Sequence, residues 1–360
     1  MMNILHFRGG LGNQLFEYAF YRYWKGKGAN GLYLDASYPS MCRKYGFCLR
    51  EMFPEVAKDT AFLPRYIARP FFLAGDVLKK IGINLTAKEP RQLPVKSKIW
   101  VRGIFQRYDY LQEMDDELRR LFTFIPFSDT RNLAVAGRIE TSNSVSIHIR
   151  RGSYTKPRQR IVYGDICSPD YYCEAIAKVR EEVENPKFFI FSNDPEWVRQ
   201  ELNIPDAEQI DWNRGNDSFR DMQLMSFCKH NIIANSSFSW WAAWLNENEA
   251  KRVYAPAKWH HNHPASLTDE LLPPAWRRIG RVRPYATLVL EKEPSDKALS
   301  WLLKQRYADF EITYPHALPS SERKIAVSPN GIHELTITER ELEKFKDKKY
   351  LQKRLQLLFI

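Results

Sequence analysis

Residues 145–154, VSIHIRRGSY, bring an imidazole and two guanidiniums to the end of a short stretch of alternating apolar residues: His148, Arg150 and Arg151. A guanidinium is planar and permanently charged, a fork that matches the oxygens of a phosphate. Following a buried strand, it stands at the edge where open α/β sheets bind their ligands. The expected chemistry is the holding of an anion, a diphosphate in particular. Each residue also has a structural alternative. The arginines would serve as ion-pair partners for another part of the chain, and His148, which shares its parity with Ser146 and Arg150, would serve as a hydrogen-bonded core residue.

Three further clusters point to the same edge. Gly9-Gly10-Leu11-Gly12-Asn13-Gln14 follows one strand-like run and opens a helix, so its amides can approach a phosphate. It is not the dinucleotide fingerprint, because Leu15 stands where the third glycine belongs, although Asp35 closes the next strand where a ribose-binding acid would be. Phe191-Ser192-Asn193-Asp194 ends a second strand, with Asp194 read as a helix cap. Asn235-Ser236-Ser237-Phe238-Ser239 follows a third strand, and its hydroxyls and amides collect in the positive field of a helix end. One serine caps that helix; the others exceed what capping requires. Ser218 and Asp221 have the spacing of a capping box. No Asp-x-Asp or HExxH sequence occurs, so no catalytic metal is expected. Trp240-Trp241-x-x-Trp244, at helical spacing, reads as core.

The elements that must position these residues alternate regularly. Residues 3–7 read as strand, a helix follows with Leu15, Phe16, Ala19, Phe20 and Tyr23 on one face, and residues 31–35 read as strand, a βαβ unit. Residues 98–105 are expected as strand and 108–124 as helix. From residue 145 strand and helix repeat, with Ser168-Pro169 and Asp194-Pro195 as caps followed by proline at the first helical position, and residues 252–255 form the last strand. Such alternation predicts parallel, doubly wound α/β sheets. The expected boundaries are an N-terminal α/β lobe over 1–143, a C-terminal Rossmann-like lobe over 144–285 and a partly helical extension over 286–360. Residues 338–360 read as a charged amphipathic terminal helix packed on a lobe, with a partner or membrane contact as the alternative, and as separable from the chemistry.

Composition sets the outer limits. The 360 residues are 44% hydrophobic and 27% charged, an ordinary soluble balance with no run long enough to span a membrane. No signal-peptide pattern opens the chain, and five cysteines without a CxxC pair read as reduced thiols; the expectation is a cytoplasmic protein. The net charge of +11 implies acidic partners. Residues 61–110 hold ten Lys or Arg against three acids, beside the apolar run PFFLAGDVLKKIGI, which suits a solvated basic face or peripheral contact with the anionic inner face of a membrane. RNA binding would need a recognisable motif, and none accompanies the charge.

Taken together, RGGLGNQLFEYAF, RGIFQRYDY, HIRRGSY, FIFSNDPEWV and DMQLMSFCKHNIIANSSFSWWAAWLN resemble the α1,2-fucosyltransferases, bacterial members in particular, over residues 1–285 and in the family's order. The resemblance implies a GT-B-like fold of two Rossmann-like lobes with the active site in the cleft between them. It implies an inverting, metal-independent glycosyltransferase that uses GDP-β-L-fucose as co-substrate, needs no cofactor, and acts on the 2-hydroxyl of a galactose in an oligosaccharide or lipid-linked glycan of a surface polysaccharide. Carried onto this chain, it implies Arg150, His148 and Asn13 as catalytic residues. Gly10, Gly12, Arg151, Asn193, Asp221, Ser236 and Ser237 are implied on the nucleotide sugar. Ser153 departs from the family's usual Asp, which removes an expected ion pair to a neighbouring arginine, and Ala242 replaces a glycine. The base for the acceptor hydroxyl is not named by any motif; Glu17 and Asp35 are candidates. A non-catalytic sugar or nucleotide binder with the same fold is the alternative.

Overall fold

The computed structural model describes all residues except 1, 38–48, 203, 262–264, 306–308, 315–330 and 359–360. The described residues form three sheets, and the strand pairs among them are all parallel. The first holds β1 (Asn3–His6), β2 (Leu32–Asp35), β3 (Thr86–Lys88) and β4 (Trp100–Arg102) in the order β2-β1-β4-β3. Its helices include α1 (Leu11–Gly26) and α2 (Arg65–Lys80). In place of the long helix expected over 108–124 the chain makes two short ones, Asp109–Gln112 and Asp115–Leu121. α3 (Thr130–Glu140) precedes the second sheet yet already packs on it, through Asn132 to Asn213 at 2.8 Å and Arg138 to Glu208 at 2.6 Å.

The second sheet runs β10-β9-β8-β5-β6-β7, with β5 (Asn143–Ile149), β6 (Pro186–Ser192), β7 (Glu208–Ile210), β8 (His230–Ile232), β9 (Val253–Pro256) and β10 (Arg277–Ile279). Its helices include α4 (Pro157–Tyr163), α5 (Pro169–Glu182), α6 (Pro195–Glu201), α7 (Phe219–Phe227) and α8 (Ser237–Leu245). Two caps read from the sequence form as expected: Ser168 accepts from the Tyr171 amide and Asp194 from the Trp197 amide, each with proline next in line. The Ser218–Asp221 capping box does not form. A 3₁₀ turn, Gly215–Ser218, runs straight into α7 with Ser218 already in helical conformation, which leaves the Asp221 carboxylate for another partner.

β5 shows how one strand serves two layers. Val145, Ile147 and Ile149 join the core under α5. Ser144, Ser146 and His148 occupy the alternate positions and are also buried. Ser146 accepts from Asn231 at 2.7 Å and Ser144 from the Lys229 amide at 3.1 Å, so the polar face is satisfied until it reaches His148 at the strand end.

α1 is buried almost all round its first turns: Leu11, Gly12, Gln14, Leu15, Phe16, Glu17, Tyr18, Ala19, Phe20 and Tyr21 are all inaccessible. One apolar stripe would suffice for a helix lying on its own sheet. The rest of its surface is covered by first-lobe side chains such as Phe105, Tyr110 and Phe122 and by α8 of the other lobe. Phe16 meets Trp240 and Trp241 at ring distances of 4.8 and 4.9 Å, and the largest core cluster runs without interruption from β1 through α1 into α8.

The region after residue 285, expected as a partly helical extension, carries a sheet as well as helices. Here β11 (Ala286–Leu290), α9 (Asp296–Leu303), β12 (Phe310–Thr313), β13 (His333–Ile337) and α10 (Tyr350–Leu357) form a third unit around the sheet β12-β11-β13. Its terminal segment packs as a helix, one of the readings the sequence offers. Phe345, Leu351 and Leu355 fill a core that includes Ile161 of α4, and α4 carries Tyr163 toward the second lobe's ligand edge. Asp309 of this unit binds Lys258 at 2.7 Å and His261 at 2.9 Å, residues of the loop after β9. Leu351→Ala should therefore lower stability by about 2–5 kcal/mol, the usual range for opening a core at leucine. Deleting residues 338–360 should lower both the melting temperature and turnover, measured by circular dichroism and initial rates. Unchanged turnover in the truncated chain would show that α4 holds its place without the third unit.

Candidate active site

The C-terminal edges of the first two sheets face each other across a cavity of about 580 Å³. From the first lobe come Gly9 to Asn13, after β1, with Ile104 and Gln106, after β4. From the second come His148 near the end of β5 and Arg150 just after it, Ser192 and Asn193 at the end of β6, Asp211, Asn213, Arg214 and Gly215 after β7, Asn235 to Phe238 after β8, and Trp259 and His260 after β9. Strand ends on both sides of a cleft are the GT-B-like arrangement. They are also where parallel sheets leave free amides and short loops for a ligand.

The two adjacent arginines part company. The Arg151 side chain donates to Asp194 at 3.0 Å and lies over the Trp197 ring at 4.3 Å, so it is held beside α6 and does not line the cavity. Its backbone amide donates to Asn193 at 2.9 Å, which fixes the turn. Arg150 lines the cavity, 5.6 Å over the Tyr154 ring, and makes no ion pair among the described residues. Ser153, also in the wall, offers it no carboxylate.

His148 is buried against Phe238 at 5.5 Å, and its Nδ1 meets no hydrogen-bond partner among the described residues. Burial and the Arg150 charge push its pKa down to about 3. It is a neutral imidazole throughout the physiological range, able to donate or accept a hydrogen bond but a weak base.

Asn13 and Ser237 join the lobes. The Asn13 carbonyl oxygen accepts from the Ser237 hydroxyl at 2.8 Å and from Gln106 at 3.0 Å, while Ser236 caps α8. Gly12 lies so close to α8 that a Cβ there would stand 2.4 Å from the Ser237 carbonyl carbon. Its lack of a side chain thus answers a packing demand at the cavity wall, and Gly10 lines the same wall one residue before α1. Gly152, at φ +33°, likewise leaves room for the Asn193 amide, which a Cβ would meet at 2.1 Å.

Asp221 accepts from Asn213 at 2.8 Å at the cavity wall. Burial first, and the nearby Asp211 charge with it, outweigh that hydrogen bond and raise its pKa to about 7.

Neither sequence candidate for a base reaches the cavity. Both Glu17 oxygens accept the Arg8 amide, at 3.0 and 2.9 Å, and burial holds that carboxyl well above its usual range. Asp35 is bound by His6 at 2.5 Å and by Ser37 at 2.6 Å, bonds that hold its pKa down against burial. The first-lobe carboxylate that does open toward the cleft is Glu89. It lines an adjoining hollow of about 290 Å³ that shares Ile104, Gln106, Tyr163 and His260 with the main cavity. Glu89 accepts the Ile104 amide at 2.7 Å, and both Glu89 and Phe105 hold positive φ, 44° and 54°. Such backbone strain in non-glycine residues is typical of functional loops. Gly103 between them has no space for a Cβ, which would lie 3.0 Å from the Glu89 carboxyl carbon. Glu89 is invisible to motif reading; Gly103 and Gln106, inside RGIFQRYDY, were its only sign.

Residues 83–279 match the model of Glycosyl transferase family 11. The chain belongs to that family. Among relatives of family 11, an Escherichia coli alpha-1,2-colitosyltransferase is 32% identical over 286 residues, 75% of this chain and 96% of the relative. The Escherichia coli O-antigen biosynthesis glycosyltransferase WbnK is 30% identical over 292 residues, 72% of this chain and 96% of the relative. Galactoside alpha-(1,2)-fucosyltransferase 1 of Alouatta belzebul is 28% identical over 148 residues, 40% of this chain and 37% of the relative. The protein is therefore a glycosyltransferase of the α1,2-fucosyltransferase-like family, as its motifs imply. The family match ends before β11 and leaves out the third unit.

The raised pKa of Asp221 predicts a stability profile. The folded protein keeps this proton up to about pH 7, while the unfolded chain releases it near pH 4. The stability so contributed is full below pH ~4 and is lost as pH rises through ~7. Asp221→Asn is neutral throughout, so its melting temperature should gain on that of the parent by a few degrees between pH 5 and pH 8, read by thermal melts without ligand. A difference that stays flat over this range would place the proton elsewhere.

Proposed function

We propose that this family 11 enzyme transfers L-fucose from GDP-β-L-fucose to the 2-hydroxyl of a galactose in a glycan acceptor, oligosaccharide or lipid-linked, with inversion and without a metal ion. The observation that carries the proposal is Arg150, a guanidinium without an ion-pair partner among the described residues, facing the N-terminus of α8 across one cavity. As the bond to fucose breaks, negative charge grows on the diphosphate. Preorganised cations and helix-end amides act most strongly at that point. The neutral His148 adds a hydrogen bond without competing for the charge. Asp221, once ionised, offers a carboxylate to the adjacent N1–H and amino donors of guanine, a pair that uracil lacks. The cytoplasm supplies the setting in this reading, in keeping with the unpaired Cys167, Cys173 and Cys228; Cys42 and Cys48 lie outside the described residues.

The adjoining hollow suits the acceptor. Phe20, Tyr110, Tyr163 and His260 give it apolar faces, and Glu89 in its wall is the carboxylate that would take the hydroxyl proton in this reading. Glu89→Gln should lower kcat by roughly 10²–10⁴ and leave GDP binding unchanged. A fall in GDP affinity with kcat intact would assign Glu89 to the nucleotide.

The colitosyltransferase relative favours a second donor reading. Colitose is L-fucose without its 3-hydroxyl. A site that hydrogen-bonds this hydroxyl rejects the deoxy sugar strongly, and a site that leaves it bare does not. Initial rates with GDP-fucose and GDP-colitose on galactose-terminated oligosaccharides decide between them, and addition of EDTA should leave the rate unchanged. GDP should raise the melting temperature and UDP should not. Arg150→Ala should lower turnover by roughly 10²–10³, with little recovery in Arg150→Lys, because an ammonium keeps the charge but loses the fork. If Arg150→Ala instead melts distinctly lower while its folded fraction turns over normally, the residue braces the fold and the diphosphate site lies elsewhere.

A further inference from the structure

α2 is the most exposed apolar element of the described residues. Tyr66, Ile67, Phe71, Leu73 and Val77, with Ile81 and Ile83 just beyond, make up half of the large apolar side chains exposed among those residues, and Tyr66 is 78% accessible. The helix rests on the first sheet through small residues, Ala68, which is 1% exposed, and Gly75, where a Cβ would lie 3.0 Å from the Trp100 ring. At 3.6 residues per turn, Tyr66, Pro70, Leu73 and Val77 form a stripe on the opposite side, facing solvent.

The charges around this stripe have one sign. Arg65, Arg69, Lys79 and Lys80 are all exposed, and the one acid of the helix, Asp76, is turned toward Arg102 of β4 at 3.6 Å. Protein interfaces deplete lysine and bury their apolar centre away from like charges. Bulky apolar and aromatic side chains rimmed by Lys and Arg fit instead the boundary between acyl chains and anionic headgroups. The helix does not cross: no helix among the described residues is long and apolar enough to span a membrane.

We propose that α2 is a membrane-docking helix that lies flat in the headgroup region of an anionic bilayer, with Tyr66, Leu73 and Val77 inserted and Arg65, Arg69, Lys79 and Lys80 on the lipid phosphates. The strand it is tied to, β4, leads directly into Ile104 and Gln106 of the cavity wall. Docking therefore sets the first lobe against the membrane and leaves the cleft open to a glycan presented there. The proposal is independent of the donor assignment, since lipid binding is read without donor or acceptor.

The test is co-sedimentation of the full chain with vesicles of phosphatidylcholine alone or mixed with phosphatidylglycerol, at low and high salt. The chain should bind the anionic vesicles, release on raising the salt and ignore the neutral ones. Replacing Tyr66, Leu73 and Val77 together by serine should abolish binding while melting temperature and turnover on a soluble acceptor stay at the parent level. Replacing Arg65, Arg69, Lys79 and Lys80 by glutamate should lower partitioning by at least about a hundredfold. Equal binding to both vesicle types, no binding, or full binding by the serine variant would overturn the proposal. So would a parent dimer, seen by sedimentation, that the serine variant converts to monomer, because a second copy would then cover the stripe.

Discussion

The packing of α1 on α8 is the contact on which the cleft depends. Gly12 lets the two helices approach until backbone meets backbone, Phe16 enters between Trp240 and Trp241, and Asn13 closes the contact with a hydrogen bond to Ser237, 224 residues later in the chain. Two lobes joined only by a linker would sample many separations. A shared core makes their spacing a property of packing, which tolerates little change in volume. Because the same helices supply the glycine-rich turn and the serine-rich cap, the contact that fixes the spacing also forms part of the cavity wall.

Around that contact the charges are sorted by what each can reach. Arg151 is neutralised by Asp194 and covered by Trp197, so its side chain is held away from the cavity. Arg150, one residue earlier, points to the other side of the turn and keeps its charge for the cavity. The carboxylates follow the same logic. Glu17 and Asp35 are saturated by an amide, a hydroxyl and an imidazole inside the first lobe, while Asp221 and Glu89 border open volume. Burial then keeps Asp221 near the point of ionisation, and the strained backbone around Gly103 sets Glu89 at the mouth of the adjoining hollow.

The third unit changes how the ligand edge is supported. Asp309 binds Lys258 and His261, and the His261 ring also meets the Gly164 carbonyl at 2.6 Å, so the loops after β9 and α4 are clasped from outside. Tyr154 and Tyr163 stack at 4.8 Å on the inner side of that clasp, beside Arg150. The family match does not extend to this unit, yet the unit braces from outside a wall that family 11 residues line.

What the sequence determined by itself was local. Ser168-Pro169 and Asp194-Pro195 open helices because a side chain accepts an amide three residues on, and no distant residue is needed. The alternation of β5 put His148 and Arg150 on one parity, and the strand-then-helix order brought the Gly9 to Asn13 turn and the Ser236 cap to strand ends. The motifs together were specific enough to name the family. Tertiary structure decided everything that depends on a partner from far along the chain. Asp194 selects which arginine is left for the cavity, and α8 gives Gly12 its packing role. Asn213 and the 3₁₀ turn take Asp221 out of the capping box. The third sheet was missed because its core is completed by α10 and by Ile161 from another lobe. Hydrogen bonds within a turn are written in neighbouring residues; burial, charge state and ion pairing are set by whatever the fold brings alongside.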